Sequence, residues 1–227
     1  MKKFFYILTI IIGSIVTSCK SSDQKFVEDM YSDPSVFDHK FEENNGISSS
    51  YWKIDINGDP VELQLISDGS NVKFVIFPIE GDLYYVLENG VISDFLYKLQ
   101  LTGTNVLKAK MNNSYPIGKE INFWNYDTII ACHKVNKAIT PWCISLDGGN
   151  NKGNYYLNLF TSYSFDDDAF SGRIIKHSEH LTLYRFDIVL LADVIKCMLY
   201  ETGLMTDLIP MASILTDEGV DIEKVFS

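Results

Sequence analysis

Ser50-Tyr51-Trp52-Lys53-Ile54-Asp55-Ile56-Asn57-Gly58-Asp59-Pro60-Val61-Glu62-Leu63-Gln64-Leu65 is the stretch that decides the fold class. Its apolar residues recur at every second position: Trp52, Ile54 and Ile56 share one face, and Tyr51, Lys53 and Asp55 the other. A period of two belongs to a half-buried strand. Asn57-Gly58 supplies the positive φ angles of a tight hairpin turn, and Val61, Leu63 and Leu65 alternate with Glu62 and Gln64 in a returning strand.

The same grammar continues outward. Asp68-Gly69 turns the chain into a strand at 72–77, Pro78 and Gly81 end it, 83–87 forms another, and Asn89-Gly90 is a third hairpin signal. Residues 95–101 and 106–111, parted by Gly103, continue the meander. Strands joined by such short links run antiparallel, because parallel neighbours need a crossover of about a dozen residues. Further strands are expected at 121–124, 128–135, 142–146 and 155–163, with flexible loops at 147–154 and 165–172 and a last hairpin from 173–177 and 181–186. Pro141 suits an edge or a strand start.

Beyond Phe186 the period lengthens. Asp187 is placed as an N-cap, Ile188, Leu191, Ala192, Ile195 and Leu199 fall on one helical face, and Gly203 stands where a helix ends. A short helix is expected at 26–31, halted near Asp33-Pro34 because the residue before proline avoids the α region. Residues 37–45 read as charged and irregular, and 218–224 as an exposed end. The expected class is mainly β, a β-rich α+β fold. Its antiparallel meander would form a barrel or sandwich, with a short N-terminal helix and a C-terminal helix packed on it.

A tryptophan in the first strand, an Asn-Gly turn and a train of short meander strands resemble the lipocalin-like lipoproteins common in Bacteroidota, over residues 50–135 at most. The resemblance implies a closed barrel that holds an apolar ligand, and it carries over no ligand residue.

The first nineteen residues give an address. Lys2 and Lys3 precede an apolar run at 4–16 broken only by Thr9, Gly13 and Ser14. That run is short for a permanent span, which needs about 20 apolar residues, and its flanks match a cleavable signal peptide. Val16-Thr17-Ser18-Cys19 resembles the lipobox of bacterial lipoproteins, which implies cleavage before a lipidated Cys19. The expected organisation is a signal peptide at 1–18, a lipidated tether at 19–25 and one β-rich domain with a helical C-terminal segment at 26–227. The expected location is the bacterial envelope, anchored by Cys19 in the outer membrane. Asp23 is the only acid just after Cys19, so the side of that membrane stays open.

Composition narrows the partners. The chain has 227 residues, 46% hydrophobic and 22% charged, which is ordinary for a globular protein. Its 13% aromatic share suits β-structure. A net charge of −11 repels phosphate backbones and anionic lipid, which disfavours nucleic acid as a partner. It would suit a cationic protein or peptide. With Cys19 assigned to lipid, Cys132, Cys143 and Cys197 remain. Either Cys132 and Cys143 pair across neighbouring strands, or all three are buried thiols.

Candidate sites are few. If Ser178-Glu179 is a two-residue turn, His177 and His180 face each other across a hairpin and could share a zinc ion. The spacing matches no zinc motif, and two solvated histidines at a strand end is the reading adopted. Asp166, Asp167 and Asp168 offer hard oxygens for calcium, against the plainer reading of a solvated loop. Asp55-Ile56-Asn57-Gly58-Asp59 imitates an EF-hand start but places Pro60 where glycine is required. Cys132 and His133 are adjacent in a strand and point to opposite faces, so no cysteine–histidine pair forms. No Gly-x-Ser-x-Gly elbow and no phosphate-cradling glycine loop is present, and no cofactor is expected. Asp127-Thr128-Ile129 resembles a Bacteroidota O-glycosylation signal. Trp52, Trp124, Trp142, Tyr155 and Tyr156 could line a ligand cavity, with core packing the plainer role.

The expectation is therefore a non-enzymatic envelope lipoprotein that binds a small hydrophobic molecule or a protein. Two other classes stay open: an immunity protein whose acidic surface plugs a cationic secreted toxin, and a hydrolase of unrecognised type using the carboxylates at 166–168.

Overall fold

Alternation in the quoted stretch becomes a hairpin. The structure, a computed structural model, describes residues 21–79, 83–114, 120–121, 129–133, 139–163 and 176–227. Strands β2 (Ile47–Ile56) and β3 (Asp59–Ser67) pair antiparallel around Asn57-Gly58, whose φ angles of 58° and 88° match the turn expected. Ser50, Trp52, Ile54, Ile56, Val61, Leu63, Leu65 and Ser67 face inward and are buried. Strand β4 (Asn71–Ile79) follows a turn held by Asp68, whose carboxylate accepts the Ser70 and Asn71 backbone N–H groups at 2.9 and 2.7 Å. The Asn71 side-chain amide and these backbone donors hold the Asp68 carboxyl down at about 2. Strand β5 (Leu83–Glu88) completes the run.

Residues 37–45, expected to be irregular, contain most of an edge strand, β1 (Val36–Asn44), joined to β2 by Asn45-Gly46 at φ 52° and 77°. Its residues are half-buried or exposed, and charged side chains are tolerated there because only one edge is paired.

The largest correction lies at 89–112. The two strands expected at 95–101 and 106–111 are one helix, α2 (Asn89–Asn112), and Asn89-Gly90 opens that helix instead of turning a hairpin. The preceding α1 (Ser22–Tyr31) is the N-terminal helix expected, begun earlier, so that Ser22 to Lys25 form its first turn and are not tether. In α2, Ile92, Phe95, Leu96, Leu99, Thr102, Val106 and Leu107 are buried, a helical period. Gly103, read as a turn, lies mid-helix where a Cβ would stand 2.6 Å from Ile188 Cγ2. It is small because another helix crosses there.

The chain returns through β6 (Glu120–Ile121), β7 (Ile129–His133), β8 (Ile139–Asn151), β9 (Asn154–Tyr163) and β10 (Lys176–Leu183). The flexible loop expected at 147–154 is mostly strand. Only Lys152-Gly153 turns, at φ 51° and 91°, and Asn150 is buried with its side-chain oxygen accepting the Gly153 N–H at 2.8 Å. The hairpin expected within 173–186 is instead the single strand β10, bulged between His177 and Glu179. The loop expected at 165–172 lies outside the described residues.

Helix α3 (Arg185–Glu201) presents the face expected: Ile188, Leu191, Ala192, Ile195 and Leu199 are buried. Asp187 sits inside the first turn, where its carboxylate accepts the Tyr184 N–H at 2.8 Å, so Tyr184 takes the cap position. Gly203 at φ 71° ends the helix, with Leu204 N–H to Leu199 C=O at 2.9 Å and Gly203 N–H to Tyr200 C=O at 3.1 Å. Two short helices follow, α4 (Met211–Asp217) and α5 (Ile222–Phe226). Within 218–224, expected to be an exposed end, Val220 is buried and Ile222 half-buried while the other residues are exposed.

The architecture is mixed α+β. Two antiparallel blocks, β1-β2-β3-β4 and β8-β9-β10, are linked through β5 and β7 in the order β1-β2-β3-β4-β5-β7-β8-β9-β10, with β6 beside β8. Among the described residues no pairing joins β1 to β10, so the barrel closure implied by the lipocalin-like resemblance is not met. Helices α2 and α3 fill the inward face, where Trp52, Phe74, Leu157, Leu183, Ile195 and Met198 are fully buried. Each such side chain withdrawn from water contributes about 1.5–3 kcal/mol. Among the described residues no helix is long and apolar enough to cross a membrane.

Candidate functional site

Four separate pieces of chain meet at one end of the molecule. The β2–β3 turn brings Asn57, the last turn of α2 brings Lys110, the β8–β9 turn brings Gly153, Asn154 and Tyr155, and the start of α3 brings Tyr184 to Asp187. Together they enclose a groove of about 570 Å³, a size suited to small molecules. Lys110 Nζ donates to the Val225 carbonyl, and Arg185 Nη1 donates to the same oxygen at 3.4 Å. Burial, and then the positive charge of Arg185, push the Lys110 ammonium below its ordinary value. Among the described residues neither cation has a carboxylate within ion-pair distance.

Aromatic rings form the groove's flank. The Arg185 guanidinium lies 5.2 Å from the centroid of Phe186, which packs on Phe226 at 4.8 Å. Phe186 is 57% exposed and Tyr184 39% exposed, so both present ring surface to solvent. Tyr155 is buried and its hydroxyl donates to Asn113 at 3.4 Å. Among the described residues the one carboxylate of the lining is Asp187. Burial pushes it up while the Tyr184 and Asn57 backbone N–H groups pull it down, leaving it raised overall.

A second polar cluster lies around Glu201, at the other end of α3. Tyr31 Oη donates to Glu201 Oε1 at 2.5 Å, Ser50 Oγ to Oε2 at 2.6 Å and Trp52 Nε1 to Oε2 at 3.3 Å. His39 Nε2 stands 2.8 Å from Oε1, a close polar contact that does not meet hydrogen-bond geometry. Tyr31 stacks on His39 with centroids 4.0 Å apart. Burial pushes the Glu201 carboxyl up, and its contacts with His39, Ser50 and Tyr31 outweigh that and hold it below the ordinary carboxylate value. Burial and the bond to Glu201 raise the Tyr31 phenol, which keeps its proton. Ser50 is fully buried and its hydroxyl donates to the Glu201 carboxylate, so the cluster fastens β2 to the end of α3.

A third cluster is the buried pair Lys196–Asp193 at 3.1 Å. Burial raises the Asp193 carboxyl and lowers the Lys196 ammonium. Asp193 Oδ1 also accepts the Met211 N–H at 2.6 Å, fastening the start of α4.

The sequence candidates fall elsewhere. Cys19, Trp124, Asp127, Thr128 and Asp166 to Asp168 lie outside the described residues. His177 and His180 lie in one strand, opposite Ser162 and Phe160 of β9, so they do not face each other across a turn. Among the described residues no group of three His, Cys, Asp or Glu side chains is placed to hold a metal. Cys132 pairs with Thr140 and Cys143 with Ile129. Three residues out of register is about 10 Å along a strand, beyond disulfide reach. Cys197 is buried, and burial pushes its thiol up. Trp52 is core and Tyr156 half-buried, while Trp142 lies in β8. Of those aromatics, Tyr155 lines the groove.

Lys110 and Arg185 carried no sequence signal. Each is a single basic residue in an acidic chain, and only the packing of α2 beside α3 brings them together. Comparison with known proteins returns no match: no family model fits the chain, and neither a curated protein nor a solved structure matches it.

Proposed function

We propose that the chain is an envelope protein, anchored through a lipidated Cys19, that binds a small molecule in the groove at 184–187 without transforming it. The observation that carries the binding role is the groove itself. Exposed rings and two cations with no ion-pair partner among the described residues border about 570 Å³ of open space, while α2 and α3 pack on the sheet's inward face. A ligand therefore has room beside the helices. The anchor rests on the basic start, the apolar run at 4–16 and Val16-Thr17-Ser18-Cys19.

Two measurements test this. Cys19→Ser should move the protein from the membrane fraction to the soluble fraction, and unchanged retention would overturn the anchor. A small-molecule library scored by thermal shift should give ligands whose stabilisation disappears in Tyr184→Ala/Phe186→Ala; ligands that all persist in that variant would remove the groove as the site.

A further inference from the structure

We propose that the groove takes a small organic oxyanion, with the acid group between Lys110 and Arg185 and the body against Tyr184 and Phe186. This rests on the groove being the binding site and names the chemistry it selects.

The argument begins with hydrogen-bond supply. An ammonium carries three donors and a guanidinium five, and the two are seen to share one neutral acceptor, the Val225 carbonyl. That carbonyl orients both groups but cancels neither charge. Two like charges drawn to one point repel each other, which is why Arg185 depresses the Lys110 ammonium. In a chain with 30 acidic and 19 basic residues, carboxylates are plentiful, yet none pairs with these cations among the described residues. Asp187 is the acid nearest in the lining, and its oxygens are turned to the Tyr184 and Asn57 N–H groups.

The direction of α3 adds to this. Arg185 is its first residue, so the positive dipole end of a 17-residue helix lies beside the groove, with the Asp187 carboxylate in the same first turn. An oxyanion there receives charge-assisted bonds from both side chains and relieves their repulsion. The exposed Phe186 and Tyr184 rings would be wasted on a bare inorganic ion. They suit a planar or apolar body attached to the acid group.

The test uses the full chain in detergent and four probes by calorimetry: benzoate, phenyl phosphate, inorganic phosphate and benzyl alcohol. The expected result is saturable binding of benzoate or phenyl phosphate, with the tighter of the two naming the acid group. Affinity should fall about tenfold or more in Lys110→Gln and in Arg185→Gln, and Lys110→Arg should restore most of it. Circular dichroism of each variant checks the fold, and the Arg rescue separates lost charge from lost structure. Inorganic phosphate binding as tightly as phenyl phosphate would overturn the role of the rings. Benzyl alcohol binding as tightly as the anions, and equally in both Gln variants, would overturn the anion proposal while leaving a binding groove. Failure of all four probes, joined to failure of the library screen, would overturn both.

Discussion

Glu201 holds a carboxylate where only 6% of the side chain meets solvent, and three donors from residues far away in the chain satisfy it. Because its folded pKa lies below the unfolded value of 4.5, it stabilises the fold above that value. The contribution is lost as pH falls through the lower, folded pKa. Glu201→Gln should therefore cost about 2–3 kcal/mol at pH 7, since the amide turns donors toward Tyr31 or Ser50. Urea midpoints taken from pH 7 down to pH 3 should converge for wild type and variant, and parallel curves would refute the assignment. The Asp193–Lys196 pair predicts a different pattern. Asp193→Asn leaves a buried cation unpaired and should cost about 3–5 kcal/mol, while Asp193→Asn/Lys196→Met should recover part of the loss. An additive double variant would show that the two charges are not coupled. Neither cluster was legible in the sequence. Tyr31, His39, Ser50, Trp52 and Glu201 have no shared spacing, and only tertiary packing makes them neighbours.

Elements were legible where local pattern and tertiary environment agree. The β2–β3 hairpin and the buried face of α3 followed from periods of two and of 3.6. Helix α2 did not, because Gly103 was read as parting two strands. The glycine answers a neighbour instead: it lets Ile188 of α3 approach the α2 backbone. Gly103→Ala should then destabilise by about 1–3 kcal/mol through overpacking, even though alanine favours an isolated helix by about 1 kcal/mol. A thermal melt with an unchanged or higher midpoint would mean that the helices separate readily. Asp147-Gly148-Gly149-Asn150 misled for a related reason. Gly149 continues β8 opposite Tyr156, and an added Cβ would lie 2.5 Å from the Tyr156 hydroxyl oxygen, so the bare backbone makes room for the ring.

At the scale of the whole molecule, the sheet has a free edge at β1 among the described residues and is buried from β2 inward. Trp52, Leu63 and Phe74 of β2, β3 and β4 are fully buried, whereas β1 carries exposed Phe41 and charged neighbours. Hydrogen exchange should accordingly show β1 peptides labelling well before those of β2, β3 and α3, which open only with global unfolding. Equal protection would mean that something covers the edge. The groove belongs to this scale too: its cations come from helices about seventy residues apart in the chain, a separation no motif scan spans. The same distance governs the Glu201 clasp. Tyr31, Ser50 and Trp52 donate to a residue 170, 151 and 149 positions later. A ribosome delivers the donors long before their acceptor, so the early segments must wait, incompletely locked, until Glu201 has been made. That delay makes closing the clasp a late event of synthesis, after the β2–β3 hairpin has had time to form.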